Sequence, residues 1–455
     1  MPLIIEFDQG TLLIGGEIPA GLLPAGLATW DARVGSYRAP ALARRAVLQL
    51  CARRRVPVED RSSSAREIAF TLRTSFTPYA YQQAAFAAWQ RAGQCGTVVL
   101  PTGAGKTYLA LRAIAQVGRG ALIVVPTLDL MQQWCALLGD TFGMEIGLLG
   151  GGAHDVRDLT VTTYDSANLW MARYGGRFDL LVFDEVHHMP APQYRLIPVM
   201  SAALARLGLT ATYARADGAH TALDDLVGPV VYRAALDALA GAQLAEYEIV
   251  RLRVPLTAAE QARYQASAAI YHDYLREAGL TPHGAGWTEW LKRSAREPAA
   301  RAALLARGEM KRLVSSSSRK LELLAMLLRW HPREKVLIFT EYTDMVYRIA
   351  EEFLIPPITH QTGIRERAWI LEQFRAGTLN RVVTAHVFNE GVDVPAANVG
   401  IILGGSSSPR EYLQRLGRLL RKADGGKVAT LYEVITSATA EEGVSARRRR
   451  TEEYR

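Results

Sequence analysis

Residues 97–107 read TVVLPTGAGKT, an apolar strand-like run, then a turn with two glycines, then Lys and Thr at the head of the apolar-periodic segment LALRAIAQ. A strand that ends in such a turn and passes directly into a helix belongs to a parallel sheet covered by helices, which excludes all-α and antiparallel all-β architectures for this region. The turn also carries its own chemistry. Gly103 and Gly105 let backbone N–H groups approach phosphate oxygens, with Thr102 and Ala104 completing the cradle, and the following helix N-terminus adds a favourable dipole. Lys106 is placed to pair with the β- and γ-phosphates and Thr107 to ligate Mg²⁺, so the expected cofactors are ATP and Mg²⁺. The first position of the strict phosphate-loop pattern is Leu100 rather than Gly.

The same strand–helix rhythm continues. TVVL at 97–100, ALIVV at 121–125, LTVTT at 159–163, LLVF at 180–183 and the segment around Leu207 alternate with helix-length stretches. KVLIFT at 335–340, RVVTA at 381–385, VGIIL at 399–403 and VATLYEV at 428–434 repeat the pattern. Each set predicts a parallel α/β lobe. A chain of 455 residues exceeds one compact core. The expected division is a small α+β module at 1–75, with its Arg-rich helical segment at 41–55; a first lobe at 76–240; and a second lobe at 241–455. The second lobe carries a helical insertion at about 258–318. The tail from Ala438, with Arg447 to Arg450, reads as a frayed, solvated end.

With 49% apolar and 22% charged residues the composition is that of a folded globular protein, not of a disordered one. The net charge of +8 suits a polyanionic partner, although only seven of the 53 basic residues are Lys and an Arg-rich genome composition explains the charge equally well. Cys51, Cys95 and Cys135 are widely separated, which argues against a disulfide framework or a cysteine metal site. No apolar run approaches the ~20 residues of a membrane span and no basic leader precedes the first apolar stretch, so a cytoplasmic protein is expected.

DEVHH at 184–188 follows LLVF, which puts Asp184 and Glu185 at the C-terminal end of a strand, where ligands of open α/β sheets bind. Asp184 would hold Mg²⁺, partly through water, and Glu185 would orient and deprotonate an attacking water. His187 is placed to pair with these carboxylates or with LTAT at 209–212, coupling ATP state to lobe movement, with Thr210 and Thr212 as further coupling candidates; His188 reads as structural. QRLGRLLR at 414–421 sets Gln414, Arg418 and Arg421 on a helix after VGIIL. Arg418 and Arg421 lie one turn apart, the arrangement of finger arginines that stabilise charge on a transferring phosphoryl group.

These motifs resemble those of superfamily 2 helicases, and more narrowly the archaeal and bacterial relatives of the XPB DNA repair helicase, over about residues 30 to 435. YQQAA at 81–85 is similar to the Q motif, which implies that Gln82 reads the adenine edge, with Tyr79 where the family usually has Arg. PT at 126–127 and TTYDSA at 162–167 resemble the strand-contacting motifs, implying DNA contacts at Thr127 and Thr163. NEGVDVPAA at 389–397 places Gly391 and Asp393 where the family couples nucleotide to the nucleic-acid path. WDARVGSYRAP at 30–40 resembles the family's damage-recognition module, and the helical insertion its thumb. In that module Trp30 and Tyr37 read individually as core residues.

The resemblance implies two RecA-like lobes, 3′ to 5′ movement on DNA (single strand, fork or damaged duplex), action as a monomer, and a possible nuclease partner. One departure stands out. Where the family has an Arg-Glu-Asp triplet after LTAT, this chain has Arg215, Ala216 and Asp217, which predicts weakened unwinding with ATP hydrolysis retained. That favours, as an alternative, a duplex translocase in restriction or phage defence; an ATP-regulated DNA-binding scaffold is the alternative from a different class.

Overall fold

The computed structural model of the chain describes residues 2–73, 77–214, 218–234, 247–281, 285–385, 397–404 and 429–448. It divides into two compact units, one built on Met1–Leu239 and the other on Ala240–Asn389 and Asp393–Arg455.

The first unit opens with β1 (Leu3–Asp8), β2 (Thr11–Gly16), β3 (Thr29–Asp31), β4 (Ser36–Pro40), α1 (Arg44–Arg54) and β5 (Val58–Arg61). The five strands form one sheet in the order β3-β4-β2-β1-β5, antiparallel except for the β1/β5 pair. Leu3, Ile5, Leu12 and Ile14 alternate along β1 and β2 and bury one face of that sheet against Val47 and Cys51 of α1. Trp30 differs from expectation. It stands on a short strand whose one partner among the described residues is β4, its ring is 54% exposed, and it meets Tyr37 edge-on at 5.2 Å; of the two rings Tyr37 packs against the core.

A connecting strap leads from this sheet into the first lobe, held by Ser64 N donating to Gly176 O and Ile68 N to Gly118 O, both at 2.8 Å. The lobe then runs α2 (Ala80–Arg91), β6 (Cys95–Val99), α3 (Lys106–Val117), β7 (Ala121–Val125), α4 (Leu128–Phe142), β8 (Gly147–Gly150), β9 (Ala153–Asp155), β10 (Leu159–Thr163), α5 (Tyr164–Tyr174), β11 (Leu180–Asp184), α6 (Leu196–Val199), β12 (Ala205–Thr210), α7 (Ala222–Leu226) and β13 (Val230–Arg233). Its eight-stranded sheet has the order β13-β6-β12-β11-β7-β10-β8-β9 and is parallel except for the β8/β9 hairpin. Every residue of β7 and β10 is buried, as expected of strands covered on both faces. Each fully buried Ile, Leu or Val there contributes roughly 1.5–3 kcal/mol.

The second unit runs β14 (Tyr247–Val254), α8 (Ala258–Ala278), α9 (Ala285–Ser294), α10 (Pro298–Ser315), α11 (Ser318–Trp330), β15 (Val336–Thr340), α12 (Thr343–Phe353), β16 (Pro357–Ile358), α13 (Ile364–Ala376), β17 (Arg381–Ala385), β18 (Val399–Ile402), β19 (Ala429–Thr436) and α14 (Ala440–Arg448). Its six strands are all parallel, in the order β14-β19-β18-β15-β17-β16. The helical insertion occupies α8 to α10 and has apolar clusters of its own, around Leu256, Tyr264 and Met310 and around Leu275, Trp290 and Ala300.

Of the expected frayed tail, Ala440–Arg448 is a docked helix instead, and residues 449–455 lie outside the described residues. Glu441 of α14 accepts from the fully buried Lys320 Nζ at 2.8 and 2.9 Å, and Ser445 Oγ donates to the buried Glu433, so two polar anchors hold what composition alone made look solvated.

Candidate nucleotide and strand site

The phosphate loop hangs between β6 and α3. Gly103 and Gly105 take φ of 85° and 74°, backbone angles that residues with a Cβ reach only at a cost, and a Cβ on Gly105 would sit 2.4 Å from Gln82 Nε2. Two side chains of α2 brace the loop from below. Tyr81 Oη donates to Ala104 O at 2.7 Å and Gln82 Nε2 to the same carbonyl at 3.2 Å. Burial pushes the Tyr81 hydroxyl up to about 12, so it keeps its proton and remains a donor. Gln82 is 1% exposed, and its Oε1 accepts from Tyr79 N at 3.1 Å; both ends of the amide already serve the loop and the helix start. Lys106 Nζ rests on the carbonyls of Leu100 and Pro101 at 3.2 and 3.4 Å.

Asp184 ends β11, separated from β6 by β12 alone. Its Oδ2 accepts from Trp134 Nε1 at 2.9 Å and its Oδ1 from Glu185 N at 3.1 Å. Desolvation by burial raises its carboxyl above the ordinary range, opposed by the Trp134 hydrogen bond and by the charge of Lys106. Glu185 sits in the left-handed region at φ 49°, an unusual place for a residue with a side chain and a sign of local constraint.

His187 is 1% exposed, with Nδ1 2.9 Å from Thr210 Oγ1 and 3.4 Å from Glu185 Oε2. Thr210 gives its own hydroxyl proton to Thr212 O at 2.7 Å, so His187 Nδ1 must carry the proton that joins the two side chains. Thr210 O in turn accepts from Leu100 N at 3.0 Å, which closes a path from Glu185 through His187 and β12 to the start of the phosphate loop.

Thr127 and Thr163 both serve as helix N-caps. Thr127 Oγ1 accepts from Leu130 N and Thr163 Oγ1 from Ser166 N, each at 3.3 Å. The N-termini of α4 and α5 therefore open at the ends of the neighbouring strands β7 and β10. Tyr164, 2% exposed, donates its hydroxyl to Asp184 O at 3.0 Å and lies 3.5 Å from Glu185 O. Sequence reading missed Tyr81, Trp134 and Tyr164, although the last lies inside the TTYDSA motif that it singled out. Arg215, Asp217, Gly391, Asp393, Gln414, Arg418 and Arg421 lie outside the described residues.

The donor set suits the expected cofactors. Asp184 has two of its roughly four lone-pair sites engaged, which leaves hard oxygen capacity for Mg²⁺. Thr102 Oγ1 is buried with no hydrogen-bond partner among the described residues, as expected of a group beside a phosphate site. Among those residues no cluster of three or more His, Cys, Asp or Glu forms a metal site.

Comparison with known proteins agrees with this geometry. Residues 75–215 match the type III restriction enzyme res subunit family, and residues 319–423 the helicase conserved C-terminal domain. The Pyrococcus furiosus Hef helicase domain aligns with a TM-score of 0.52 at 18% identity, covering 81% of this chain and 97% of that one. Saccharomyces cerevisiae Dbp5 bound to RNA and ADP BeF3 aligns at 0.57 and 12%, covering 83% and 88%. Fold and motifs together define a superfamily 2 helicase.

Residues 5–62 match the xeroderma pigmentosum group B helicase damage recognition domain. The DNA 3′-5′ translocase XPB2 of Sulfurisphaera tokodaii is 42% identical over 81% of this chain and 84% of its own length. The DNA 3′-5′ helicase XPB of Mycobacterium tuberculosis is 31% identical over 79% of this chain and 61% of its own. The chain belongs to the XPB family.

Proposed function

We propose that this protein is an ATP-driven DNA motor of the XPB type that moves 3′ to 5′ and serves DNA repair. The carrying observation is that Lys106, which starts α3 after the loop leaving β6, and Asp184 and Glu185, at the end of β11, belong to the two strands that flank β12, whose Thr210 joins both sides by hydrogen bonds. In this reading Lys106 leaves its resting carbonyls for the β- and γ-phosphates. Glu185 takes a proton from the attacking water as oxygen bonds to the γ-phosphorus and the bond to the bridging oxygen breaks, giving ADP and phosphate. Mg²⁺ held by Asp184 and Thr107 supplies charge neutralisation on the phosphate oxygens. Arg418 and Arg421 are assigned to the same reaction from their sequence spacing.

DNA is the substrate named for the archaeal and mycobacterial relatives. No described helix is long and apolar enough to cross a membrane, which suits the cytoplasmic site of action proposed here. Association with a nuclease and action as a monomer on DNA belong to the same proposal, as does the reading of Ala216 as a brake on strand separation.

The test is ATP hydrolysis by the purified protein alone and with single-stranded DNA, blunt duplex, forked duplex and RNA. Lys106→Ala and Glu185→Gln are expected to abolish turnover without lowering thermal stability, and DNA to stimulate more than RNA. Retained turnover in either variant rejects the site. Stimulation by blunt duplex over a fork favours the duplex translocase, the reading that the Ala216 departure supports.

A further inference from the structure

Two side chains outside the nucleotide motifs converge on Asp184, the carboxylate assigned above to Mg²⁺. Trp134 is 3% exposed on α4 and spends its one N–H on Asp184 Oδ2. Tyr164, the first residue of α5, spends its hydroxyl proton on the Asp184 carbonyl, beside the Glu185 carbonyl. The first contact fixes how the carboxylate is rotated. The second fixes the main chain where Glu185 is held at φ 49°.

Their origin gives the pair its meaning. Trp134 lies two turns along α4 from the Thr127 cap, about 10 Å in a stiff element, and Tyr164 directly follows the Thr163 cap. Thr127 follows the end of β7 by two residues and Thr163 ends β10; these strands are hydrogen-bonded neighbours, and β7 is also the hydrogen-bonded neighbour of β11. Each of the two helices whose starts are read as strand-contacting thus sends one polar side chain to Asp184, one to its side chain and one to its backbone.

We propose that Trp134 and Tyr164 are positioning residues that carry strand occupancy at the starts of α4 and α5 to Asp184 and Glu185. DNA stimulation of ATP hydrolysis then passes through these two hydrogen bonds. The proposal rests on the reading of the site as a DNA-stimulated ATPase. An indole serving only as core filler can lose stability on replacement by the smaller phenyl ring but has no reason to change the Mg²⁺ requirement, which gives the proposal its test.

Trp134→Phe and Tyr164→Phe are made in the full chain, with Leu169→Ala, at a 71% exposed position of α5, as control. Magnesium-dependent binding of a fluorescent ADP analogue is measured first, then ATP hydrolysis at saturating Mg²⁺ with and without single-stranded DNA. Loss of an outer partner of a metal ligand weakens metal affinity about tenfold or more, so Trp134→Phe is expected to raise the Mg²⁺ needed for half-maximal binding by about that factor. Tyr164→Phe is expected to lower the DNA-stimulated rate more than the DNA-free rate, shrinking their ratio, with a smaller change in Mg²⁺ requirement.

Wild-type Mg²⁺ dependence and stimulation in both variants overturns the proposal. So does an equal loss of both rates accompanied by a lower melting temperature, the mark of a purely structural role. Lys106→Ala separates the two levels: turnover surviving there sinks the ATP-site reading, whereas turnover lost there with normal Trp134→Phe and Tyr164→Phe sinks only the positioning roles.

Discussion

Gln82 illustrates how a single side chain can be assigned by what its atoms already do. The family resemblance gives it the adenine edge, yet one of its N–H groups is committed to Ala104 O and one carbonyl lone pair to Tyr79 N, at 1% exposure. Bracing the loop affects every nucleotide, whereas reading a base edge affects one. Gln82→Ala is therefore expected to raise KM for ATP and for GTP alike, about fivefold for the loss of roughly 1 kcal/mol of net hydrogen bonding. A rise confined to ATP, in a comparison of the two steady-state KM values, would reassign the side chain to the base. The positions of Lys106 after β6 and of Asp184 and Glu185 at the end of β11, and the His187–Thr210 contact, were legible because such motifs set fixed residue types at short spacings beside an apolar strand. Trp134 and Tyr164 were not, since their partners lie 50 and 20 residues away and an aromatic ring in a helix reads as core. Trp30 misled in the opposite direction, because a ring on a short edge strand is decided by what lies beyond the strand.

Among the elements, α8 is joined to α11 by one carboxylate. Glu260 accepts from Thr257 N at 2.9 Å in the capping box of α8 and from Ser318 N and Oγ at 3.0 and 3.1 Å at the start of α11. Burial alone would raise its carboxyl, but the hydrogen bonds from Ser318 and Thr257 outweigh it and hold it below the ordinary carboxylate range. A carboxyl depressed on folding contributes stability above its unfolded value, and that contribution fades as pH falls through the folded one. Glu260→Gln is thus expected to cost about 1–2 kcal/mol at neutral pH. The gap between wild type and variant should narrow in thermal melts taken from pH 5 downwards, and a gap independent of pH would refute the assignment. Strands buried on both faces, such as β7, β10 and β17, were legible to within a residue, because a run of β-branched residues bounded by turns has few other uses. The glycine-bearing β8, the three-residue β9 and the two-residue β16 were not, being too short for any period to show.

At the scale of the molecule, the question is whether the N-terminal sheet moves independently of the lobe that holds the phosphate loop. The buried contacts say that it does not. Arg44, 6% exposed, pairs with Asp60 in β5 of the N-terminal sheet at 2.9 Å and with Asp179 of the lobe at 2.7 Å, and donates to Ala202 O at 2.9 Å; Arg119 reaches the same Asp179 at 2.8 Å. A Cβ on Gly176 would lie 2.8 Å from the Phe7 ring, so the main chain of the lobe is packed directly under the sheet. Removing one partner of a buried pair leaves uncompensated charge and costs about 3–5 kcal/mol, whereas removing an exposed one costs little. Arg44→Met should therefore lower the first unit's melting temperature by roughly 10 °C, at about 2–4 °C per kcal/mol. Arg61→Ala, which breaks half-exposed pairs to Glu6 and Glu59, should leave it unchanged. Hydrogen exchange decides the mechanical point. If β1 and β2 lose protection in Arg44→Met together with β11, module and lobe are one cooperative body, and a contact made at Trp30 bears on the lobe that positions Asp184. Loss confined to β1 and β2, with β11 unmoved, would instead make the module a separable attachment and remove that connection.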